Sequence, residues 1–271
     1  MFDINNFVID RIVRGVAISQ DEKNPTVLFS INQIQNASLN CASESTDAVD
    51  ALGTPIATFY RAKTAEFSAE NALFDMNLMA TQLGTEKKKA SKDSKLVVPA
   101  MESFTVPEGG KYVLKHKAVA APFEIYAIND DSTFGVKYKK AQGTSVTEDE
   151  FVYTEVDNTI NLPTTEDLKV GTEMFVMYDY ESEEAVEVVN SAKNFPVGCK
   201  FIMEVLGCDV CDQTNLIYAY VIFNNFKLSP DFDWSIATDG AHPFSGKAQQ
   251  DYCDKEKRLF SIVIPGDQDQ E

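Results

Sequence analysis

Between residues 96 and about 194, short apolar runs alternate with clusters of turn residues at nearly regular intervals. The runs are 103–106, 111–118, 123–128, 134–140, 151–156, 159–162, 174–180 and 186–189. Pro107-Glu108-Gly109-Gly110, Asn129-Asp130-Asp131-Ser132 and Val170-Gly171-Thr172 separate them. Runs this short, divided by Gly, Asn and Asp, fit strands joined by tight turns. The spacing predicts a small β-sandwich or barrel, closer to an immunoglobulin-like module than to a βαβ enzyme domain.

The flanks read differently. Residues 7–19 and 27–34 form a hairpin across the polar turn 20–25, a polar loop follows over 36–47, and 56–67 alternate as an extended stretch. Past Phe195-Pro196-Val197-Gly198 the strands lengthen and become more apolar, at 200–211, 216–228, 232–237 and 259–264. Only 246–251 and 254–257 suit a helical turn. The best helix is 68–83, with Ser68 placed to cap it and Gly84 to end it. Its apolar residues fall on two stripes, Ala69, Ala72, Leu73, Met76, Met79, Ala80 and Leu83 against Phe67, Phe74 and Leu78, so the helix is predicted to be sandwiched.

Residues 85–95 hold five lysines and almost nothing to bury, which marks an exposed loop. The long C-terminal strands need a partner sheet, and the N-terminal hairpin region supplies it. The predicted organisation is therefore one mainly β domain with one packed helix, built from 1–84 and 195–271. The lysine-rich linker 85–95 leads into the inserted β-sandwich, 96–194. The polar tail 266–271 is expected to fray.

With 44% apolar and 24% charged residues the chain is expected to fold. Its net charge of −18 disfavours electrostatic binding to nucleic acid or to an anionic membrane. The charge is uneven: residues 1–140 carry 17 acidic and 16 basic residues, and 141–271 carry 25 and 8. Such a bias suits a solvated acidic surface, or a lining past which an anion slides. No apolar run approaches the ~20 residues that span a bilayer, and Met1 to Asn6 lack a signal peptide's basic and apolar regions, so synthesis and folding in a cytoplasm are expected.

Reaction chemistry finds little support. Cys208-Asp209-Val210-Cys211 offers two zinc ligands without a second pair, and Cys41, Cys199 and Cys253 lie at no ligand spacing. The same pair, ending a strand between Asp209 and Asp212, is wrong for thioredoxin chemistry. His116 and His242 sit in unrelated contexts, and no phosphate-binding glycine loop occurs. Tyr178, Tyr180, Tyr218, Tyr220 and Trp234 offer a sugar platform or, at strand spacing, a core. We therefore expect no enzyme, no catalytic, cofactor-binding or metal-binding residues, and no cofactor.

Three stretches resemble structural proteins of tailed bacteriophages, most nearly the major tail tube family. They are Phe7-Val8-Ile9-Asp10-Arg11-Ile12-Val13-Arg14-Gly15 with Ser30-Ile31-Asn32-Gln33-Ile34; Ala62-Lys63-Thr64-Ala65-Glu66-Phe67-Ser68-Ala69-Glu70-Asn71-Ala72-Leu73-Phe74 leading to Gln82-Leu83-Gly84; and Phe244-Ser245-Gly246-Lys247-Ala248-Gln249-Gln250-Asp251-Tyr252 with Leu259-Phe260-Ser261-Ile262-Val263-Ile264-Pro265. The resemblance implies that 1–84 and 195–271 form a tube-type β domain, a two-sheet β-sandwich or barrel with one packed helix, and that the protein is a virion tail component made in the bacterial host's cytoplasm. Six subunits would close a ring, and rings would stack into a tube that delivers the genome. Its implied partners are further copies of itself, other tail proteins at the tube ends, and DNA passing through the lumen without specific binding. Another phage component, capsid or decoration, and a carbohydrate-binding or adhesion module are the alternative expectations.

Overall fold

The computed structural model describes residues 7–21, 23–163, 165, 168–252 and 255–265. In chain order the elements are β1 (Phe7–Ser19), β2 (Val27–Ile31), β3 (Ile34–Val49), β4 (Pro55–Asn71), α1 (Met76–Gln82), β5 (Lys88–Lys89), β6 (Leu96–Thr105), β7 (Lys111–Val113) and β8 (Ala118–Ile128). They continue with β9 (Phe134–Lys140), β10 (Glu150–Thr154), β11 (Thr159–Asn161), β12 (Glu173–Ser182), β13 (Val186–Glu187), β14 (Gly198–Asp209), β15 (Asp212–Leu228), β16 (His242–Ala248) and β17 (Ser261–Val263). The protein is mainly β. It divides into two compact units, one made of 1–87 with 188–271 and the other of 88–187.

The discontinuous unit holds one eight-stranded sheet in the order β2-β1-β14-β15-β16-β4-β3, with β17 also on β15. The sheet curls on itself. Phe67 of β4 lies 5.7 Å from Phe201 of β14, although two strands separate them along the sheet. Phe29, Phe67, Phe201, Phe223, Phe226 and Phe244 fill the space between the curled halves, each nearly inaccessible to solvent. Alternation explains the strands: Cys199, Phe201, Met203 and Val205 of β14 all point inward, two residues apart.

The helix is shorter than its sequence suggests. Residues 68–71 continue β4, where Ala65, Phe67, Ala69 and Asn71 are buried in strict alternation, and α1 begins at Met76. Ser68 pairs with Ser38 and Ser245 in the sheet, and Asp75 is the cap, its Oδ1 accepting from the backbone N–H of Asn77 at 2.9 Å and Leu78 at 2.7 Å. The second apolar stripe is therefore not a helix face: Phe67 belongs to the strand, and Phe74 stacks on Trp234 at 4.5 Å. Gly84 ends the helix as expected, at φ +64°, where a Cβ would collide with the backbone of Phe195.

Three further readings are corrected. Residues 36–47 are not a loop but part of β3, whose polar side chains are in solvent and so carry no apolar alternation. Residues 246–248 belong to β16, not to a helical turn; Gly246 pairs with Phe67 and its missing side chain admits the ring of Phe226. Residues 232–237 form no strand, and Phe232 instead packs at 6.2 Å from His242. Of residues 254–257, Asp254 lies outside the described residues, as do Cys253 and the tail 266–271.

The unit 88–187 contains a seven-stranded sheet, β6-β12-β8-β9-β10-β11-β7, and the two-stranded β5-β13. It too curls: Phe104 of β6 stacks on Tyr112 of β7 at 3.8 Å, joining the two ends of the path. Glu102 is buried there, accepting from the Tyr112 hydroxyl at 2.8 Å, the Lys115 backbone N–H at 3.1 Å, and the Tyr178 hydroxyl. Burial and this carboxylate push the Tyr112 phenol up to about 12.

Candidate assembly surface

In the discontinuous unit β3 and β4 run on together well past the core. From Ala65 to Asn71, β4 buries every second residue; from Thr64 back to Pro55 all of its residues are exposed. The change falls at a bulge, where the β3–β4 register shifts between Ala42 and Glu44 and Ala62 adopts φ +48°, a left-handed conformation rare for a residue with a Cβ. Beyond the bulge the two strands form a free arm over residues 44–61. At about 3.3 Å per residue, the exposed part of β4 reaches about 30 Å from the core.

The arm's turn is well built. Asp50 accepts from the backbone N–H of Leu52 at 2.8 Å and of Thr54 at 2.9 Å, and Gly53 takes φ +84°. Thr58 donates to Asp47 at 2.7 Å across the strands. Yet the arm carries large apolar side chains that the described residues leave in solvent: Leu52 is 92% exposed, Tyr60 71% and Ile56 69%, with Phe59 and Val49 more than half exposed. A two-stranded hairpin is at best marginally stable in water. Furthermore, among the described residues β3 pairs only with β4, so its outer edge, along sixteen residues, is open to another strand.

A second exposed region lies where β14 turns into β15. Val210, Leu216, Val8 and Ile9 are exposed around it. Below them Arg14 and Glu204 pair at 2.5 Å, and Tyr220 donates to the same carboxylate at 3.3 Å. The hydrogen bond to Glu204 and its charge raise the Arg14 guanidinium, and burial raises the Tyr220 phenol. Cys208 and Cys211 flank this turn, where Asp209 accepts from the Cys211 backbone N–H at 2.8 Å. Among the described residues no three His, Cys, Asp or Glu side chains converge as metal ligands.

The two histidines occupy different units. His116 stacks on Tyr180 at 4.0 Å. His242 is fully buried, its Nε2 at 2.8 Å from Gln82 Oε1 and its Nδ1 accepting from the Asp75 backbone N–H at 3.4 Å. Burial depresses its pKa, so the ring stays neutral. Cys199 is buried beside the Phe226 carbonyl at 3.4 Å, and desolvation pushes its thiol up to about 12. The tyrosines considered for a sugar platform do not share a face: Tyr178 is core in one unit, and Tyr218 and Tyr220 belong to the other. The rings that do cluster on the surface of 88–187 are Tyr126, Phe134 and Phe175, 5.3 to 5.4 Å apart along the group.

The charge is also redistributed by the fold. Of the 25 carboxylates after residue 140, 13 fall in 141–187 and hence in the 88–187 unit. There they meet lysines: Glu181 and Glu183 flank Lys95 at 3.8 and 3.2 Å, and Glu187 meets Lys88 at 3.4 Å. The discontinuous unit still carries 23 acidic against 13 basic residues. No helix among the described residues is long and apolar enough to cross a membrane.

A model of the YomU/Tube protein family matches residues 13–261, a span that takes in the inserted unit as well as both flanks. No curated protein matches the chain.

Proposed function

The chain belongs to the YomU/Tube protein family, a phage tube-type family, and from that premise we propose that it is a non-enzymatic subunit of the tail tube. In this reading six copies close a ring, rings stack, and the genome passes through the channel into the host. The observation that carries it is the arm: a long, ordered hairpin that exposes Leu52, Ile56, Phe59 and Tyr60 and leaves one strand edge unpaired is a poor feature for a solitary protein and a good one for an assembling protein. Ring closure covers such edges. Its partners are copies of itself and the tail proteins at either end, and its place is the virion tail. The acidic excess of the discontinuous unit lets DNA pass without adhering.

Native mass spectrometry of the purified chain across a concentration series tests this reading. Species at six chain masses and its multiples support it; a monomer at every concentration refutes it. A ring cluster of the exposed Phe134 with the half-buried Tyr126 and Phe175 favours an adhesion role for the inserted unit as a second reading. If it holds, added glycans perturb the NMR signals of these rings whether or not the chain assembles.

A further inference from the structure

Three buried polar side chains of the discontinuous unit, Asn71, Gln82 and His242, stand at the end of β4, the end of α1 and the start of β16. Gln82 fixes the proton on His242. Its Nε2 donates to the Pro243 carbonyl at 3.1 Å, which turns its Oε1 to the imidazole Nε2 at 2.8 Å, so the ring carries its N–H on Nε2 and a lone pair on Nδ1. That lone pair meets the Asp75 backbone N–H at a long 3.4 Å. Asn71 stands directly across from His242 in the β4–β16 pair, and among the described residues its Oδ1 is buried without a hydrogen-bond partner. An idle acceptor therefore neighbours a ring that can take one more proton.

The segment 229–241, which joins β15 to β16, packs on this cluster through its rings. Its backbone is tied to the sheet at Ser229, whose N–H donates to the Ser245 carbonyl at 2.8 Å, and the Gly240 N–H donates within the segment to Ala237 at 3.1 Å. Rings hold the middle: Trp234 stacks on Phe74 at 4.5 Å, Phe74 stacks on His242 at 5.3 Å, and Phe232 lies 6.2 Å from the same imidazole. We propose that His242 is an acid-sensitive latch for this segment: a proton from solvent adds to the Nδ1 lone pair, the new N–H turns from the Asp75 N–H to Asn71 Oδ1, and the displaced ring loosens the stack that holds Trp234. Charges on the surrounding elements are few. Asp75 caps α1, Glu70 lies on the other face of β4 bonded to Asn36, Lys247 of β16 is paired with Glu66, Asp231, Asp233 and Asp239 are exposed on the segment, and α1 and β2 carry none. Burial holds the imidazole below its ordinary value of about 6.5, opposed by the Asp75 carboxylate, so the latch is shut above that pH and opens as the pH falls below it.

Trp234 is the single tryptophan of the chain, so its fluorescence reads the latch directly. The test is an emission titration of the full chain from about pH 8 to about pH 4.5, a range that brackets histidine, with far-UV circular dichroism recorded on the same samples. The parent is expected to show one reversible step with its midpoint below about pH 6.5 while the sheet signal holds. His242→Gln, which cannot take the proton, is expected to lose the step. Asn71→Asp, which offers the imidazolium a carboxylate, is expected to move the midpoint up by about one pH unit; a role for Asn71 in packing alone would leave it in place. The latch is overturned if the parent's emission is flat over the range, if the step coincides with loss of the sheet signal, or if it survives in His242→Gln. Should His242→Gln fail to fold, Asn71→Asp decides, and an unmoved midpoint overturns the latch. The latch works within one chain, so its failure and that of the subunit reading are separate results.

Discussion

At the level of single residues the structure explains why certain positions tolerate so little. Asp75 caps α1 with two backbone hydrogen bonds, and Asp75→Ala is expected to cost about 1 kcal/mol, read as a lowered midpoint in chemical denaturation. Gly84 combines a positive φ with backbone contact to Phe195, so Gly84→Ala is expected to cost more, of order 2 to 3 kcal/mol, by the same measurement. His242 sets a pH dependence. Its pKa is depressed in the folded state, so the unfolded chain binds a proton that the folded chain refuses, and stability present above about pH 6.5 is lost as the pH falls below it. His242→Gln is expected to flatten that slope between pH 7 and 5 in thermal melts, even if it lowers the plateau. Replacing Cys208 and Cys211 together by serine is expected to leave fold and assembly intact; loss of fold with release of zinc would contradict that.

Among the elements, the arm decides most. Replacing residues 44–61 by a short glycine-containing turn removes no buried side chain, so the shortened chain is expected to keep its thermal midpoint within about 0.5 kcal/mol of stability while losing all higher species in sedimentation. The arm was also the element least legible in the sequence. Apolar alternation reveals strands that bury one face, and β1, β9, β12 and β14 were readable on that account, as was the helix stop at Gly84. The β3 half of the arm buries nothing within the chain, so 36–47 read as a polar loop although the segment lies within β3. The two-stripe pattern over 68–83 misled for the opposite reason: the final buried turns of β4 and the first turn of α1 adjoin, and their summed apolar positions mimic one longer helix.

For the whole molecule the two curled sheets have different economies. The 88–187 unit joins its path ends through Phe104 and Tyr112 and pairs Lys88, Lys95, Lys117 and Lys137 with its own carboxylates. The discontinuous unit leaves, among the described residues, a strand edge and the apolar side chains of the arm uncovered, features that suit the proposed tube subunit. Family membership and this incompleteness point the same way. The most direct test is electron microscopy of the purified chain in negative stain over a range of concentrations. Hollow tubes or stacked rings with sixfold symmetry, appearing as concentration rises, are the predicted result. Particles that remain single and discrete at every concentration, with the arm still exposed to limited proteolysis, would contradict the account.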